Sequence, residues 1–447
     1  MRKLLLGTLC VAMLGIVNSA LAVDSYWTDA TGNHRFLDGS NWDNGLPPAG
    51  KWWLIINNVP AYPGVGSVLD AYTGGNFCYG LIIGDAGNDG NLTLRNDTGD
   101  PWGARVKARA DLMVGTAGGT GTVDVIDGPE GLVAGGDISV GTGGGNGTIN
   151  ITGATARVLG RSRTYIGRDE DSTGTVNIND GYLDANVRPG HFVFNVGYYG
   201  DGTLNISGGT VDILGRLDVG GYYDVGTGDF APNASGHIEM SGGLIMADHI
   251  YFGLNSKYLS EGNPQIIGSI NQTGGEFLFD GANQTLALNR VNQAINQGWW
   301  TTGPKMLLNV SQDAAGTHVT VIPPLEVDVD ILPCDDPNML TVNTQGKGRL
   351  PIAILGSEEY DINEIDLNSL NIAATVLPVK EPKIGEDVNG DGILDLMIHV
   401  SRRDLILALG LDQMEPGSVV PVTIEGTLSN GRFVFGTDDV VLVARED

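Results

Sequence analysis

A short phrase that begins with glycine recurs six times in the middle of the chain. Its copies begin at Gly121, Gly147, Gly174, Gly202, Gly236 and Gly268. The intervals between successive copies are similar, and a second phrase ending in glycine, seen as LMVG, ISVG and LDVG, keeps step with them. Repetition with a period of roughly 20 to 50 residues is typical of proteins built as stacks of similar units. The repeats therefore constrain the fold more than any other feature of the sequence.

Apolar and polar residues alternate within each repeat. In the copy at 203–207, Leu204 and Ile206 fall on one side of a strand and Asn205 falls on the other. Two more alternating segments follow, at 210–214 and 216–219. One unit cannot bury its apolar side alone, but units stacked at about 4.8 Å form a continuous core. The pattern predicts an all-β chain with a parallel β-solenoid (β-helix) of about seven rungs and three strands per rung.

Asparagine or aspartate recurs at the outward position of the first strand. The positions are Asp124, Asn150, Asn177 and Asn205. Stacked in register, these side chains are expected to form a polar ladder that keeps the sheet soluble through side-chain hydrogen bonds.

Changes in composition divide the chain into five segments. Residues 1–22 combine Arg2 and Lys3 with an apolar run and a small-residue exit, which is typical of a cleaved secretory signal. A Trp-rich stretch at 23–80 is expected to cap the solenoid, which spans 81–285. The segment 286–324, with a helix expected near Val291, is the C-terminal cap and linker. Residues 325–447, with fewer glycines and longer strands, form a β-sandwich-like domain.

The charge of the chain limits its partners. The formal net charge is −28, and loss of Arg2 and Lys3 with the signal makes the chain more acidic still. Such a surface is a poor partner for nucleic acid and disfavours polyanionic polysaccharides unless cations bridge them. No later segment offers about 18 uninterrupted apolar residues, so no transmembrane anchor is expected.

Cysteines are too few for a disulfide framework. Cys10 belongs to the signal, which leaves Cys78 and Cys334 in regions expected to be different domains. Two buried thiols are therefore the favoured interpretation, and a bridge between them is the alternative.

The beginning of the chain is similar to a known group of proteins. Residues 41–48, NWDNGLPP, with the tryptophans around them and the repeats that follow, resemble secreted bacterial proteins that carry PEP-CTERM-associated or autotransporter-like β-repeats. The resemblance implies a secreted repeat protein. The chain lacks a C-terminal Pro-Glu-Pro anchor with a hydrophobic tail, so PEP-CTERM sorting itself is not implied.

One motif has the spacing of a calcium loop. The sequence DVNGDGILD at 387–395 places oxygen-bearing side chains at loop positions 1, 3, 5 and 9 and glycine at position 6. The expected Ca²⁺ ligands are Asp387, Asn389, Asp391, the backbone carbonyl of Ile393, and Asp395. Position 12 is not the bidentate Glu of an EF-hand, and 394–400 alternates like a strand. An acidic turn without metal is the alternative.

The C-terminal segment has its own resemblance. The stretches DVDI at 328, DPN at 336, GRLPIAILG at 348 and EDVNGDG at 386 resemble a β-sandwich module appended to secreted bacterial proteins. The resemblance implies an accessory or attachment module with structural calcium.

Two sets of residues are candidates for a carbohydrate site. β-Solenoids include enzymes that use carboxylates and an Arg or Lys base against acidic polysaccharides. The residues with that chemistry here are Arg161, Arg163, Arg168, Asp169, Glu170 and Asp171. The alternative for them is a solvated turn. The pairs Tyr198–Tyr199 and Tyr222–Tyr223 follow equivalent glycines and are candidate ligand-binding residues that could stack against sugar rings; packing at the turns is the alternative.

These patterns favour a secreted, non-catalytic structural or adhesive protein of the cell surface or extracellular matrix, with polysaccharide or another surface component as its partner. The alternative is a carbohydrate-active protein, either a polysaccharide lyase or hydrolase or a glycan-binding module. A groove of carboxylates and arginine across three rungs would favour that alternative.

Overall fold

The computed structural model describes most of the chain from residue 77 onward and short pieces before it. The described residues are 24–26, 28, 30–31, 39–43, 53–57, 67–69, 77–95, 105–126, 131–185, 193–221, 234–253, 268–333 and 335–444. They divide into two compact units, one within 1–237 and 251–268 and the other within 238–250 and 269–447. This boundary falls inside the repeats, whereas the composition placed it near residue 325.

The first unit is a parallel β-solenoid, as the repeats predict, with about six turns instead of about seven. Each turn contributes one strand to each of three parallel ladders, which we call faces A, B and C. Face A contains Ser67–Leu69, Asp89–Leu94, Thr120–Val125, Asn146–Ile151, Thr173–Ile178 and Asp201–Ile206. Neighbouring strands pair in parallel, with each repeat phrase aligned to the next.

Faces B and C follow face A around each turn. Face B contains Phe77–Cys78, Val106–Ala108, Leu132–Ala134, Arg157–Gly160, Tyr182–Asp184 and residues 210–212 of Thr210–Val219. Face C contains Asp24–Tyr26, Trp53–Ile56, Gly80–Ile83, Leu112–Val114, Ile138–Val140, Thr164–Ile166, Val193–Val196 and residues 216–219. The predicted three strands per turn are confirmed.

The core of the solenoid is made of apolar ladders. Val123, Ile149, Val176 and Leu204 occupy equivalent inward positions on face A and are at most 2% exposed. Burying one such side chain contributes about 1.5 to 3 kcal/mol. Because each side chain packs on its equivalents above and below, the stack is stabilised as a whole and not rung by rung.

The glycine that ends the second phrase is required where face C turns into face A. Gly115 has φ +67°, and a Cβ atom placed on it would lie 1.9 Å from the carbonyl oxygen of Asn146 in the next turn. Any side chain at this corner would therefore push neighbouring turns apart. The phrase recurs because the backbone of each turn approaches the next at the same point.

Part of the expected N-terminal cap extends the stack. Trp53–Ile56 pairs in parallel with Gly80–Ile83, and Asp24–Tyr26 pairs with Trp53–Ile56. A 3-10 helix at Gly39–Asn41 also lies in this part of the chain. The solenoid thus begins before the first recognisable repeat.

After the last three-strand turn, the chain forms longer strands, a helix and an antiparallel pair. Two long strands, Ser235–Phe252 and Gly268–Phe279, precede helix α1, Gln284–Asn296, which starts earlier than expected because Asn283 caps its first turn. Trp300 is buried and donates from Nε1 to the Oε1 of buried Gln272, at 3.1 Å. The remaining strands are Trp300–Thr301 and the antiparallel pair Leu307–Gln312 and Thr317–Ile322.

Two separate sheets form the C-terminal region. The antiparallel sheet has the order Val329–Ile331, Arg349–Ile354, Asp395–Ser401, Lys383–Glu386. The other sheet contains Leu325–Glu326, Met339–Thr341, Asn371–Ile372, Val419–Thr427 and Phe433–Val443, the last two as a long antiparallel hairpin. Side chains of both sheets share one hydrophobic core that extends from Leu325 to Leu442.

Helix α2, Arg402–Leu409, completes this core. Ser401 accepts a hydrogen bond from the amide of Asp404, and Gly410 ends the helix in the left-handed conformation. Short 3-10 helices lie at Ile362–Glu364 and Leu411–Gln413. Within the described parts of the chain, no helix combines the length and the apolar character needed to cross a bilayer.

Candidate functional site

The outward polar residues of face A are bound to one another. Nδ2 of Asn150 donates to Oδ1 of Asp124 at 2.7 Å, Asn177 donates to Asn150 at 2.8 Å, and Asn205 donates to Asn177 at 2.7 Å. The predicted side-chain ladder is confirmed. Each amide in it uses one donor to bind the turn before it, so the residues that the repeat supplies stabilise the stack.

The candidate calcium loop connects two antiparallel strands. It joins Lys383–Glu386 to Asp395–Ser401, so a strand and not a helix follows it, as the alternation at 394–400 predicts. Asp387 organises the loop, because Oδ1 accepts the amides of Gly390 and Asp391, at 2.8 and 3.1 Å, and Oδ2 accepts that of Gly392, at 3.0 Å. The carboxylate therefore organises the loop through three backbone amides.

Asn389 and Asp391 lie at the exposed tip. Oδ1 of Asn389 accepts the amide of Asp391 at 3.1 Å, and Oδ1 of Asp391 accepts the amide of Ile393 at 2.8 Å. Nδ2 of Asn389 donates to Oδ2 of Asp391 at 2.9 Å. Each side-chain oxygen that accepts one hydrogen bond keeps a further lone pair, so both side chains can also bind a cation.

Asp395 has a structural role that the motif does not reveal. Its carboxylate is fully buried, and its two oxygens accept the amides of Gly356, at 2.8 Å, and Val388, at 2.6 Å. It therefore ties the start of the loop to the end of the strand Arg349–Ile354, far earlier in the chain. Its contribution to a cation site is limited to the lone pairs that these two bonds leave.

The loop residues fit a calcium ion in part. Among the described residues, no three carboxylate, imidazole or thiol side chains converge closely enough to hold a metal ion. The oxygens of Asp387, Asn389 and Asp391 and the carbonyl of Ile393 are of the hard type that Ca²⁺ prefers. Binding would require the exposed side chains of Asn389 and Asp391 to exchange their mutual hydrogen bond for the ion.

The six charged candidates of the repeat at 161–171 lie at two corners of one turn. Arg161 and Arg163 precede the face C strand Thr164–Ile166, and Arg168 to Asp171 follow it. Asp169 accepts hydrogen bonds from the hydroxyl of Thr142 and the amide of Gly143 in the preceding turn, the latter at 2.9 Å. Asp169 therefore holds its own turn to the corner of the preceding turn at Thr142 and Gly143.

The two arginines beside this strand converge on a residue that sequence reasoning missed. Nη1 of Arg163 donates to the hydroxyl of Tyr165 at 3.3 Å, and the guanidinium carbon of Arg168 lies 5.1 Å from the centre of the Tyr165 ring. Nη1 of Arg168 also donates to Oγ of Ser139 in the preceding turn, at 3.1 Å. The alternation in the phrase 164–166 places Tyr165 outward and was the available signal.

The tyrosine pair of the next turn completes this group. The ring of Tyr198 meets that of Tyr165 edge-on, with centres 4.9 Å apart, and Tyr199 stands at 89° to Tyr198 with centres 4.6 Å apart. The two half-buried rings are therefore not a coplanar platform. Tyr222 and Tyr223 lie outside the described residues, so the sugar-stacking role expected of them stays a prediction.

A second mixed cluster lies on face B and was also missed. Arg157 forms an ion pair with Asp184, at 3.2 Å, and its guanidinium lies 4.9 Å from the centre of the Tyr182 ring. The Tyr182 hydroxyl donates to Oδ2 of Asp212 at 2.6 Å. Burial and the neighbouring carboxylate raise the Tyr182 pKa, so the hydroxyl remains a donor at neutral pH.

The predicted burial of a thiol is confirmed at Cys78. Its side chain is buried, and this burial raises the pKa of the Cys78 thiol to about 12. Cys334 lies outside the described residues.

Comparison of the chain with known protein families, with curated proteins and with solved structures gives no match. The fold and the clusters above are therefore the basis for assigning a function.

Proposed function

We propose that this chain is a secreted, non-catalytic structural or adhesive protein of the cell surface or extracellular matrix. The β-solenoid fold is of the kind that fits such a role. The observation that carries the proposal is the face A ladder, in which Asn150, Asn177 and Asn205 bind one another. Because the polar side chains of each repeat bind those of the next, adding repeats lengthens a stack whose turns are held to one another. Such a stack is a stiff structural element.

Secretion is supported by the segment 1–22 and by the composition. A basic start, an apolar run and a small-residue exit are the features that export machinery recognises. The acidic excess, 53 acidic against 25 basic residues in the whole chain, favours solubility and contact with divalent cations.

Calcium is proposed as a stabilising ligand of the C-terminal sheets. The support is the loop at 387–395, where Asp387 already gathers three amides and Asn389 and Asp391 present oxygens at the tip. A bound Ca²⁺ would neutralise the loop carboxylates and hold the hairpin closed, and so would stabilise the folded state by mass action.

The alternative, a carbohydrate-active protein, is favoured by one observation. Arg157, Asp184 and Asp212 belong to three neighbouring turns of face B and form a connected cluster with Tyr182. The cluster brings carboxylates and an arginine together across three rungs, with Asp184 buried within it.

Export of the full chain tests the proposal. The full chain and a version that starts at residue 23 are to be expressed in a bacterial host and followed by cell fractionation and mass spectrometry. We expect the full chain outside the cytoplasm and shortened by its signal, and the shorter version inside the cell. A full chain that stays in the cytoplasm with its signal uncleaved would contradict secretion.

A further inference from the structure

The outward side of face C carries a column of polar side chains that are shielded from solvent. Ser139, Tyr165, Asn195 and Asp218 are in register on four neighbouring turns and are 1, 4, 2 and 8% exposed. Outward residues of a solenoid sheet normally face water. The outward residues of face A are more exposed than those of this column: Asn150, Asn177 and Asn205 are only half-buried.

The column contains a polar group without a partner. Nδ2 of Asn195 is buried, and among the residues that the structure describes it has no hydrogen-bond partner. Buried amides are nearly always hydrogen-bonded, and one that is not calls for a ligand, an ion or a water molecule. Its neighbours in register are Tyr165 on one side and Asp218 on the other.

Two arginines face this column with donors to spare. Arg163 contacts the Tyr165 hydroxyl, and Arg168 contacts the Tyr165 ring and Ser139. Neither forms an ion pair within the described parts of the chain. A guanidinium carries five N–H donors, so each keeps several after these contacts. Arg163 is exposed and Arg168 is half-buried, which places both at a rim that solvent reaches.

Each nearby carboxylate has at least one oxygen in a hydrogen bond or an ion pair. Oδ1 of Asp137 accepts the amide of Arg163 at 3.1 Å, and Asp169 accepts from the preceding turn. Asp218 forms an ion pair with Arg216 at 2.7 Å. The group around Tyr165 is therefore a local surplus of donors on a strongly acidic chain.

We propose that this column, with Arg163, Arg168 and Tyr198 at its rim, binds a carboxylate-bearing sugar residue of a glycan. Arginine is the side chain best suited to planar, bidentate recognition of a carboxylate. The Asn195 amide and the Tyr165 hydroxyl add hydrogen bonds to hydroxyl groups of the sugar. The half-buried ring of Tyr198 offers a surface on which the sugar can pack. The inference rests on the adhesive part of the proposed function and names the chemical class of its ligand.

The negative charge of the chain favours a short acidic ligand over a long one. A net charge of −28 repels a long polyanion. A short segment or a chain end exposes only a few carboxylates to that repulsion, so the probe is trigalacturonic acid, with its fully methyl-esterified form as the uncharged comparison.

The test is calorimetric titration of the secreted form, residues 23–447, and of two variants whose folding is checked by circular dichroism. Arg168→Gln removes the guanidinium at the column. Lys305→Gln is the matched control, because it also removes a positive charge that lies over an aromatic ring, 4.8 Å from the centre of Phe433, but in the other compact unit. We expect the acid to bind, the ester to bind at least tenfold more weakly, and the acid to lose at least tenfold in affinity only with Arg168→Gln.

Several outcomes would overturn the inference. They are no binding of the acid by the folded parent, equal binding of acid and ester, and equal losses in the two variants. If Arg168→Gln does not fold, Arg168→Lys serves in its place: it keeps the charge but not the planar fork, so affinity equal to that of the parent would also contradict the inference. None of these results changes the outcome of the export test, so the two proposals fail separately.

Discussion

Asn177 and Asn150 are joined by a 2.8 Å hydrogen bond from Nδ2 to Oδ1, across two turns of the solenoid. Oδ1 of Asn177 also accepts a bond from Asn205, so one side chain links three turns. This relationship explains why three successive repeats carry a carboxamide, which both donates and accepts, at a position where many polar residues would serve for solubility.

The ladder predicts a position-specific loss of stability. Asn177→Ala removes two side-chain hydrogen bonds, each contributing about 0.5 to 1.5 kcal/mol, and leaves the partners without replacement. We expect the free energy of unfolding in urea to fall by about 1 to 3 kcal/mol. Thr175→Ala, on the same strand and the same side but outside the ladder, is the control and should cost less. Equal losses would show that the ladder does not contribute.

The thiol of Cys78 is predicted to be inert in the folded chain. With a pKa of about 12, only about one molecule in ten thousand carries the thiolate at pH 8. The measurement is labelling by a thiol reagent in residues 23–447 with Cys334→Ser, before and after denaturation. We expect no reaction until the chain unfolds. Rapid labelling under native conditions would mean that the site is open.

His318 is predicted to make stability depend on pH. Its Nδ1 lies 2.5 Å from Oε1 of Glu276 and its Nε2 lies 2.9 Å from Oδ1 of Asp313, so only the doubly protonated ring donates to both. These hydrogen bonds raise the pKa of His318. The stabilisation is therefore complete below the ordinary imidazole pKa of about 6.5 and is lost as the pH rises through the raised value.

Unfolding of the parent and of His318→Gln between about pH 6 and about pH 9 measures this effect. The stability advantage of the parent should shrink as the pH rises. This pH range avoids a separate effect of Asp313. The contact with His318 lowers the pKa of Asp313, so the contribution of Asp313 to stability is lost only in acid. An advantage that is constant or grows with pH would exclude the imidazolium as its source.

The calcium loop predicts that two aspartates behave differently. Asp391→Ala removes an exposed carboxylate, and we expect calorimetric Ca²⁺ affinity to fall at least tenfold while stability in chelator hardly changes. Asp395→Ala leaves the buried amide of Gly356 unpaired, at about 1 to 3 kcal/mol, and removes the bond to the half-buried Val388, so it should destabilise the chain even in chelator. No Ca²⁺ binding by the parent, or equal binding by Asp391→Ala, would contradict the proposed site.

Local periodicity predicted most of the fold. The alternation around Leu204 and the recurring glycines were sufficient for the three faces, because each turn repeats the same contacts with its neighbours. The caps of α2 were predictable because Ser401 and Gly410 act on adjacent backbone groups. The early start of the stack at Trp53 could not be predicted, because the strands there lack the glycine phrase. They join the stack through backbone pairing with Gly80–Ile83.

The candidate sites were less predictable because they depend on contacts between distant residues. Asp395 matches a ligand position in the motif, yet Gly356, which is remote in the sequence, uses its carboxylate. Arg163 and Arg168 were identified as charged candidates, but that they converge on Tyr165 follows from the turns on both sides of one strand. Sequence indicated which residues carry chemistry and not which of them meet.

The most direct test of the proposed function is whether the chain changes a polysaccharide or only holds it. Purified residues 23–447, with Ca²⁺ or with chelator, are to be incubated with a panel of acidic and neutral polysaccharides while bound protein and released oligosaccharides are measured together. A structural or adhesive protein is expected to release no oligosaccharide from any polymer, whether or not it binds. Release that depends on the protein concentration and is lost with Asp212→Asn would contradict the account and assign the face B cluster to catalysis.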